Sequence, residues 1–138
     1  MIEEAYVNFE TAKLLKEKGF NCSTYRAYCE TNRGHQLSYD VGRTNSQWDK
    51  FNKENGIFNC SAPTQQMAMR WLREVHHYYI QVMLDSWACG IHMGYYVVIQ
   101  KTDSDFEIML SDYVDNIFYQ TYEEACETAI KYCLENLI

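Results

Sequence analysis

Apolar positions along the 138 residues fall into stretches of helical and strand-like period. Phe9, Ala12 and Leu15 recur at helical spacing while Lys13, Lys16 and Glu17 take the other side, which predicts a first helix. Asn8 is placed to cap it, and Gly19-Phe20 has the form of a left-handed stop with an apolar contact. Residues Ser23–Glu30 alternate and are rich in Tyr and Thr, so a strand is expected there. Thr64 can cap a second helix after Pro63, with Met67, Ala68, Trp71, Leu72 and Val75 as its buried stripe. Three β-rich runs follow, Tyr79–Asp85, Tyr95–Lys101 and Phe106–Leu110, the last two joined by a turn over Thr102–Asp105. Thr121-x-x-Glu124 is a capping-box pattern, and Tyr122, Cys126, Ala129, Ile130, Cys133 and Leu137 form the face of a last helix.

Between Thr31 and Asn59 the pattern breaks. This segment holds Gly34, Gly42, Gly56 and five asparagines with few aliphatics. It reads as an irregular insertion over 31–59, free to move, with one short helix near 47–54. Ser46 and Asp49 have capping-box spacing for that helix, and Asn55-Gly56 would end it. The order is therefore α-β-irregular-α-β-β-β-α. That predicts a single α+β domain over 1–138, with an antiparallel sheet of about four strands and three helices mainly on one face.

Three blocks carry a resemblance: Phe9–Phe20, Ser61–His76 and Thr121–Ile138, together 46 of the 138 residues. They resemble a group of small uncharacterised proteins of anaerobic gut bacteria, their phages and other mobile elements. The resemblance implies a cytosolic, phage- or prophage-related origin. It brings no activity and no site residues, because the blocks coincide with the helices and read equally as packing and capping signals.

Charge narrows the partners. The chain carries 19 acidic and 12 basic side chains, net −7. A basic surface is what draws nucleic-acid polymers and anionic membranes, so neither is an expected partner. No apolar run approaches the ~18–20 residues of a membrane span. The start Met1-Ile2-Glu3-Glu4 has no signal-peptide character, which points to the cytoplasm. The acidity is uneven: residues 1–102 have 11 basic and 10 acidic groups, and residues 103–138 have one and nine. A basic protein partner would be sought at the acidic end. The aromatic content, 15%, is compatible with a homo-oligomer.

Four constellations bear on chemistry. His76, His77, Cys89 and His92 are the best metal candidates, but adjacent histidines diverge and the spacing fits no dependable zinc pattern, so no metal or other cofactor is expected. Asp103-x-Asp105-x-Glu107 starts like a calcium loop and then fails at Ile108 and Val114. The six cysteines include no CxxC pair and read as reduced, mostly buried thiols. Cys60, just ahead of a helix N-terminus, is the one thiol in an activating position. With no P-loop, G-x-S-x-G or H-E-x-x-H, the chain leans away from being an enzyme, and no catalytic residue is assigned.

The remaining signal lies around the irregular segment. Arg26, Arg33, Arg43, Lys50 and Lys53 stand against Glu30, Asp40 and Asp49, with Tyr25, Tyr28, Tyr39, Trp48 and Phe51 interleaved. Guanidinium groups beside aromatic rings can hold a phosphate and stack a base. The candidate ligand-binding residues are thus Arg26, Arg33, Arg43, Trp48, Lys50 and Lys53. The expected function is a phage-associated, non-enzymatic binding protein for a protein partner or a small anionic ligand such as a nucleotide. The alternatives are a counter-defence protein sequestering a host nucleotide signal, and a small thiol- or His-dependent hydrolase.

Overall fold

The computed structural model describes residues 2–86, 92–110 and 118–138, with the side chains of Asp85, Ser86, His92 and Met93 left aside. Its elements are α1 (Phe9–Glu17), β1 (Arg26–Thr31), β2 (Gly34–Tyr39), α2 (Asn45–Asn55), β3 (Cys60–Ser61), α3 (Gln65–His76), β4 (Tyr78–Ser86), β5 (His92–Lys101), β6 (Glu107–Leu110) and α4 (Tyr122–Tyr132), which runs into a π-helical turn over Cys133–Leu137. The α+β class holds. Among the described residues the strands form two antiparallel three-stranded sheets, ordered β2-β1-β3 and β4-β5-β6, rather than one sheet of about four strands. The chain forms two compact units, Met1–Met67 and Ala68–Ile138.

In the first unit, Asn8 Oδ1 accepts from Thr11 N at 2.9 Å and starts α1 as expected. The helix ends in a Schellman motif: Phe20 N donates to Leu15 O and Gly19 N to Lys16 O. Thr11, Ala12, Leu15 and Phe20 are buried. The segment 31–59 is not irregular. Thr31 and Gly34 close a two-residue hairpin loop, β2 runs back along the whole of β1, and α2 follows. The helix near 47–54 begins earlier because its cap is Thr44, whose side chain accepts from Gln47 N while the Gln47 side chain accepts from Thr44 N. Ser46 is already helical, and Gly56 in the left-handed region ends the helix.

Amide side chains hold this unit together. Asn45 Nδ2 donates to Phe20 O at 2.8 Å and Asn45 Oδ1 accepts from Ser61 N at 2.9 Å, both buried. Asn52 and Asn59 pair reciprocally: Asn52 Nδ2 donates to Asn59 O and Asn59 N to Asn52 Oδ1, each at 2.8 Å. Asn59 Oδ1 then accepts from Glu30 N at 2.9 Å.

In the second unit, β4 and β5 pair from Tyr78–Lys101 to Leu84–Tyr95 and beyond, and β6 adds to β5. The turn between β5 and β6 falls at Thr102–Asp105, as expected. Val97 and Ile99 are buried on the face that also carries Tyr78 and Tyr95. Tyr78 Oη donates to Leu137 O, and the Tyr95 ring stands edge-on to Tyr122 of α4. The other face leaves Tyr79, Met83 and Met109 exposed. α4 buries Ala125, Cys126, Ala129, Ile130, Cys133 and Leu134, so its inner face is rotated from the expected stripe and Tyr122 is exposed. Likewise α3 buries Ala68, Met69, Trp71 and Leu72, while Val75 is exposed.

Two substitutions test these contacts. Asn45→Leu leaves the buried Phe20 carbonyl and Ser61 amide without partners, and should lower the unfolding free energy by about 3 kcal/mol, read from urea denaturation. Gly94 has φ +138°, and a Cβ there would lie 2.7 Å from Tyr119 O. Gly94→Ala should therefore cost more than ~2 kcal/mol. A midpoint within error of the native one would refute either account.

Candidate functional site

Arg26 opens β1 and Tyr39 closes β2, and the hairpin register sets them directly opposite each other. Opposed residues share a sheet face, so the Tyr39 ring covers the guanidinium, its centroid 3.9 Å from Cζ. Leu37, two residues back along β2, lies on that face too. The second ring comes from the N-terminal segment. Ala5 to Val7 runs along Pro63 to Gln65, with Gln65 N donating to Ala5 O at 2.8 Å and Val7 N to Pro63 O at 3.1 Å. Tyr28 Oη pins the same segment by donating to Val7 O at 2.6 Å. This places the Tyr6 ring centroid 5.4 Å from Arg26 Cζ.

The resulting cleft of about 360 Å³ is lined by Tyr6, Arg26, Leu37, Tyr39, Ile2, Glu3 and Glu4. Among the described residues, no carboxylate lies within ion-pair distance of the guanidinium, and Arg26 Nε is buried without a hydrogen-bond partner. A guanidinium that faces aromatic rings keeps its strongest donors in its plane, where a carboxylate or phosphate edge is taken up bidentately. The Tyr39 side is open, at 83% exposure. The lining groups are those of recognition: one cation, two carboxylates, two rings and aliphatic surface.

The other candidate residues lie elsewhere. Arg33 is at the β1–β2 loop, five strand positions or ~17 Å from Arg26. Arg43 is already neutralised, its Nη1 donating to Asp40 Oδ1 at 2.8 Å and its backbone N to Asp40 Oδ2 at 2.8 Å. Its Cζ stands 4.7 Å from the Trp48 ring centroid. Trp48 is 3% exposed and meets Phe51 edge-on, so it belongs to the core and offers no surface on which a base could stack. Lys50 and Lys53 are exposed on α2. Of the six, Arg26 alone lines the cleft. Tyr6, Glu3 and Glu4 were not anticipated as site residues. The hairpin that pairs Tyr39 with Arg26 could have been found from the Asn32-Arg33-Gly34 turn signal.

The reactive-group candidates resolve differently. Cys60 sits in β3, fully buried, and burial pushes its thiol up to about 12, the opposite of activation. The same burial raises Cys126 to about 11 and Cys133 to about 12. His76 packs edge-on against Trp71, and desolvation, with His77 beside it, lowers its pKa. His77 adopts φ 65° past the end of α3, where its carbonyl accepts from Thr102 N at 2.7 Å. Cys89 and the His92 side chain lie outside the described residues. Among the described residues no group of three or more His, Cys, Asp or Glu could hold a metal ion. The sequence Asp103-x-Asp105 sits at the β5–β6 turn, where Lys101 Nζ approaches Asp103 at 3.9 Å.

Fold and site together define an α+β protein with an open cleft around an arginine that has no ion-pair partner among the described residues. No family model, no curated protein and no solved structure matches the chain.

Thiol chemistry checks the cysteine assignment. Iodoacetamide at pH 8 should alkylate exposed Cys22 in the native protein and leave Cys60, Cys126 and Cys133 unreacted until urea is added, as followed by peptide mass spectrometry. Labelling of Cys60 ahead of Cys22 would overturn it.

Proposed function

We propose that this chain is a non-enzymatic binding protein, phage- or mobile-element-associated, that takes an anionic group of a ligand or partner at Arg26. The observation that carries the reading is the Arg26 guanidinium itself: covered by Tyr39, flanked by Tyr6, open to a cleft and without an ion-pair partner among the described residues. Elsewhere Arg43, Lys16, Arg70, Lys101 and Lys131 each have a carboxylate within 4.0 Å. A cation desolvated on its faces and unpaired at its edge is a standing anion site, since a buried charge gains most from a matched partner.

The cytoplasm suits this reading, and no helix among the described residues is long and apolar enough to cross a membrane. A second reading, sequestration of a host nucleotide signal, is favoured by the exposed outer side of Tyr39, on which a base can stack while its phosphate meets Arg26. The acidic second unit would add a surface for a basic protein.

Titration of the isotope-labelled protein with acetate, inorganic phosphate and AMP tests the proposal. Amide shifts should concentrate at Tyr6, Arg26 and Tyr39, weaken about tenfold or more from 0.05 to 0.5 M salt, and vanish in Arg26→Gln. Shifts that persist in that variant, or none with any anion, would sink it.

A further inference from the structure

We propose that the Arg26 cleft selects a bipolar ligand of the α-amino-acid type: its carboxylate meets Arg26, its ammonium meets Glu3 and Glu4, and its apolar side chain lies along Leu37 and the tyrosine rings. This deepens the reading above and rests on Arg26 holding an anion.

Charge is the first argument. The cleft lining carries one guanidinium and two carboxylates, net −1, and none of the three is in an ion pair with a described residue. A phosphate dianion entering it meets one favourable charge and two unfavourable ones. A zwitterion adds no net charge and meets an opposite charge at each end. Like charges brought together in a cleft are how a site rejects the wrong ligand.

Shape is the second. Tyr39 stacks on one face of the guanidinium and Tyr6 approaches it as well, so a ligand reaches it in plane. A planar carboxylate matches the two-donor fork in that plane. Beyond the charged groups the lining is Ile2, Leu37 and the two rings, an apolar wall for a side chain. A volume of about 360 Å³ is at the lower end for small-molecule sites and suits a single amino acid or a chain end.

Position is the third. Tyr6 is fixed by the hydrogen bonds of Ala5 and Val7 to the 63–65 segment, so Glu3 and Glu4 leave from a defined point beside the cation. They are exposed, and neither is in an ion pair with a described residue, so their carboxylates can turn toward a ligand.

Isothermal titration of the full chain with four probes tests this: phenylalanine, N-acetyl-phenylalanine, phenethylamine and AMP. Phenylalanine should bind most tightly, with each of the other three at least tenfold weaker. The double variant Glu3→Gln/Glu4→Gln should weaken phenylalanine about tenfold and strengthen N-acetyl-phenylalanine and AMP, with an unchanged urea midpoint because both positions are exposed. Arg26→Lys, which keeps the charge but loses the fork, should weaken both carboxylate probes, and Arg26→Gln should abolish them. If AMP or N-acetyl-phenylalanine binds the native protein as tightly as phenylalanine, and does so through Arg26, the anion site stands and bipolar selection is wrong. If no probe binds, or binding survives Arg26→Gln, both fall.

Discussion

The first unit depends on asparagine amides doing the work that a longer strand would do. β3 is two residues long, and a ladder of that length cannot by itself hold β1 in place. Asn59 extends it: its backbone exchanges two hydrogen bonds with the Asn52 side chain, and its own amide oxygen takes Glu30 N. Glu30 returns the contact by accepting from Phe58 N at 2.7 Å. Asn45 closes the other end, between Phe20 and Ser61. An amide side chain offers both a donor and an acceptor, so one residue satisfies two buried backbone groups. The strand that carries Arg26 is braced by this network, because β1 lies between β2 and β3.

That network also explains which parts of the fold were legible. α1, α3 and α4 announce themselves through Asn8, Thr64 and Thr121, whose side chains cap them in the structure. The segment 31–59 looked irregular because its signals are polar. β2 reads Gly-His-Gln-Leu-Ser-Tyr, with one aliphatic residue, and alternation of apolar positions cannot reveal it. Its hold on the unit is aromatic: His35 stacks on Phe9 at 3.9 Å and its Nε2 lies 2.8 Å from Phe58 O. Asparagines that usually mark turns are here internal fastenings, and only three-dimensional partners distinguish the two uses. The site divides in the same way. An arginine among tyrosines was visible; its pairing with Tyr39 needed the hairpin register, and Tyr6 needed the bridge to Thr64. Trp48 misled because a large ring in a polar stretch looks like a platform, whereas it is the apolar centre around which α2 packs.

The division into units sharpens the charge as well. Met1–Met67 holds eight basic and eight acidic side chains, and Ala68–Ile138 holds four and eleven. The whole net charge of −7 therefore belongs to the second unit. An anion site in the first unit is not opposed by the net charge of its own unit. The opposition comes from two residues, Glu3 and Glu4, close enough to escape screening over the ~10 Å Debye length at ordinary ionic strength.

Arg26 is poorly explained by stability alone. Burying its Nε without a partner costs on the order of 1–3 kcal/mol. Stacking on a tyrosine returns roughly 0.5–2 kcal/mol, so the two effects come close to cancelling. A methionine would span much the same length, pack against the same rings and bring no donor to desolvate. The ladder would be indifferent to the exchange, because what β1 contributes there is the Arg26 carbonyl, which accepts from Ala62 N and Thr24 Oγ1. What arginine alone adds is a fixed charge with an in-plane fork, and that has value only when an anion meets it. The near-cancellation of these terms is what supports the proposal that Arg26 serves an anion in the cleft.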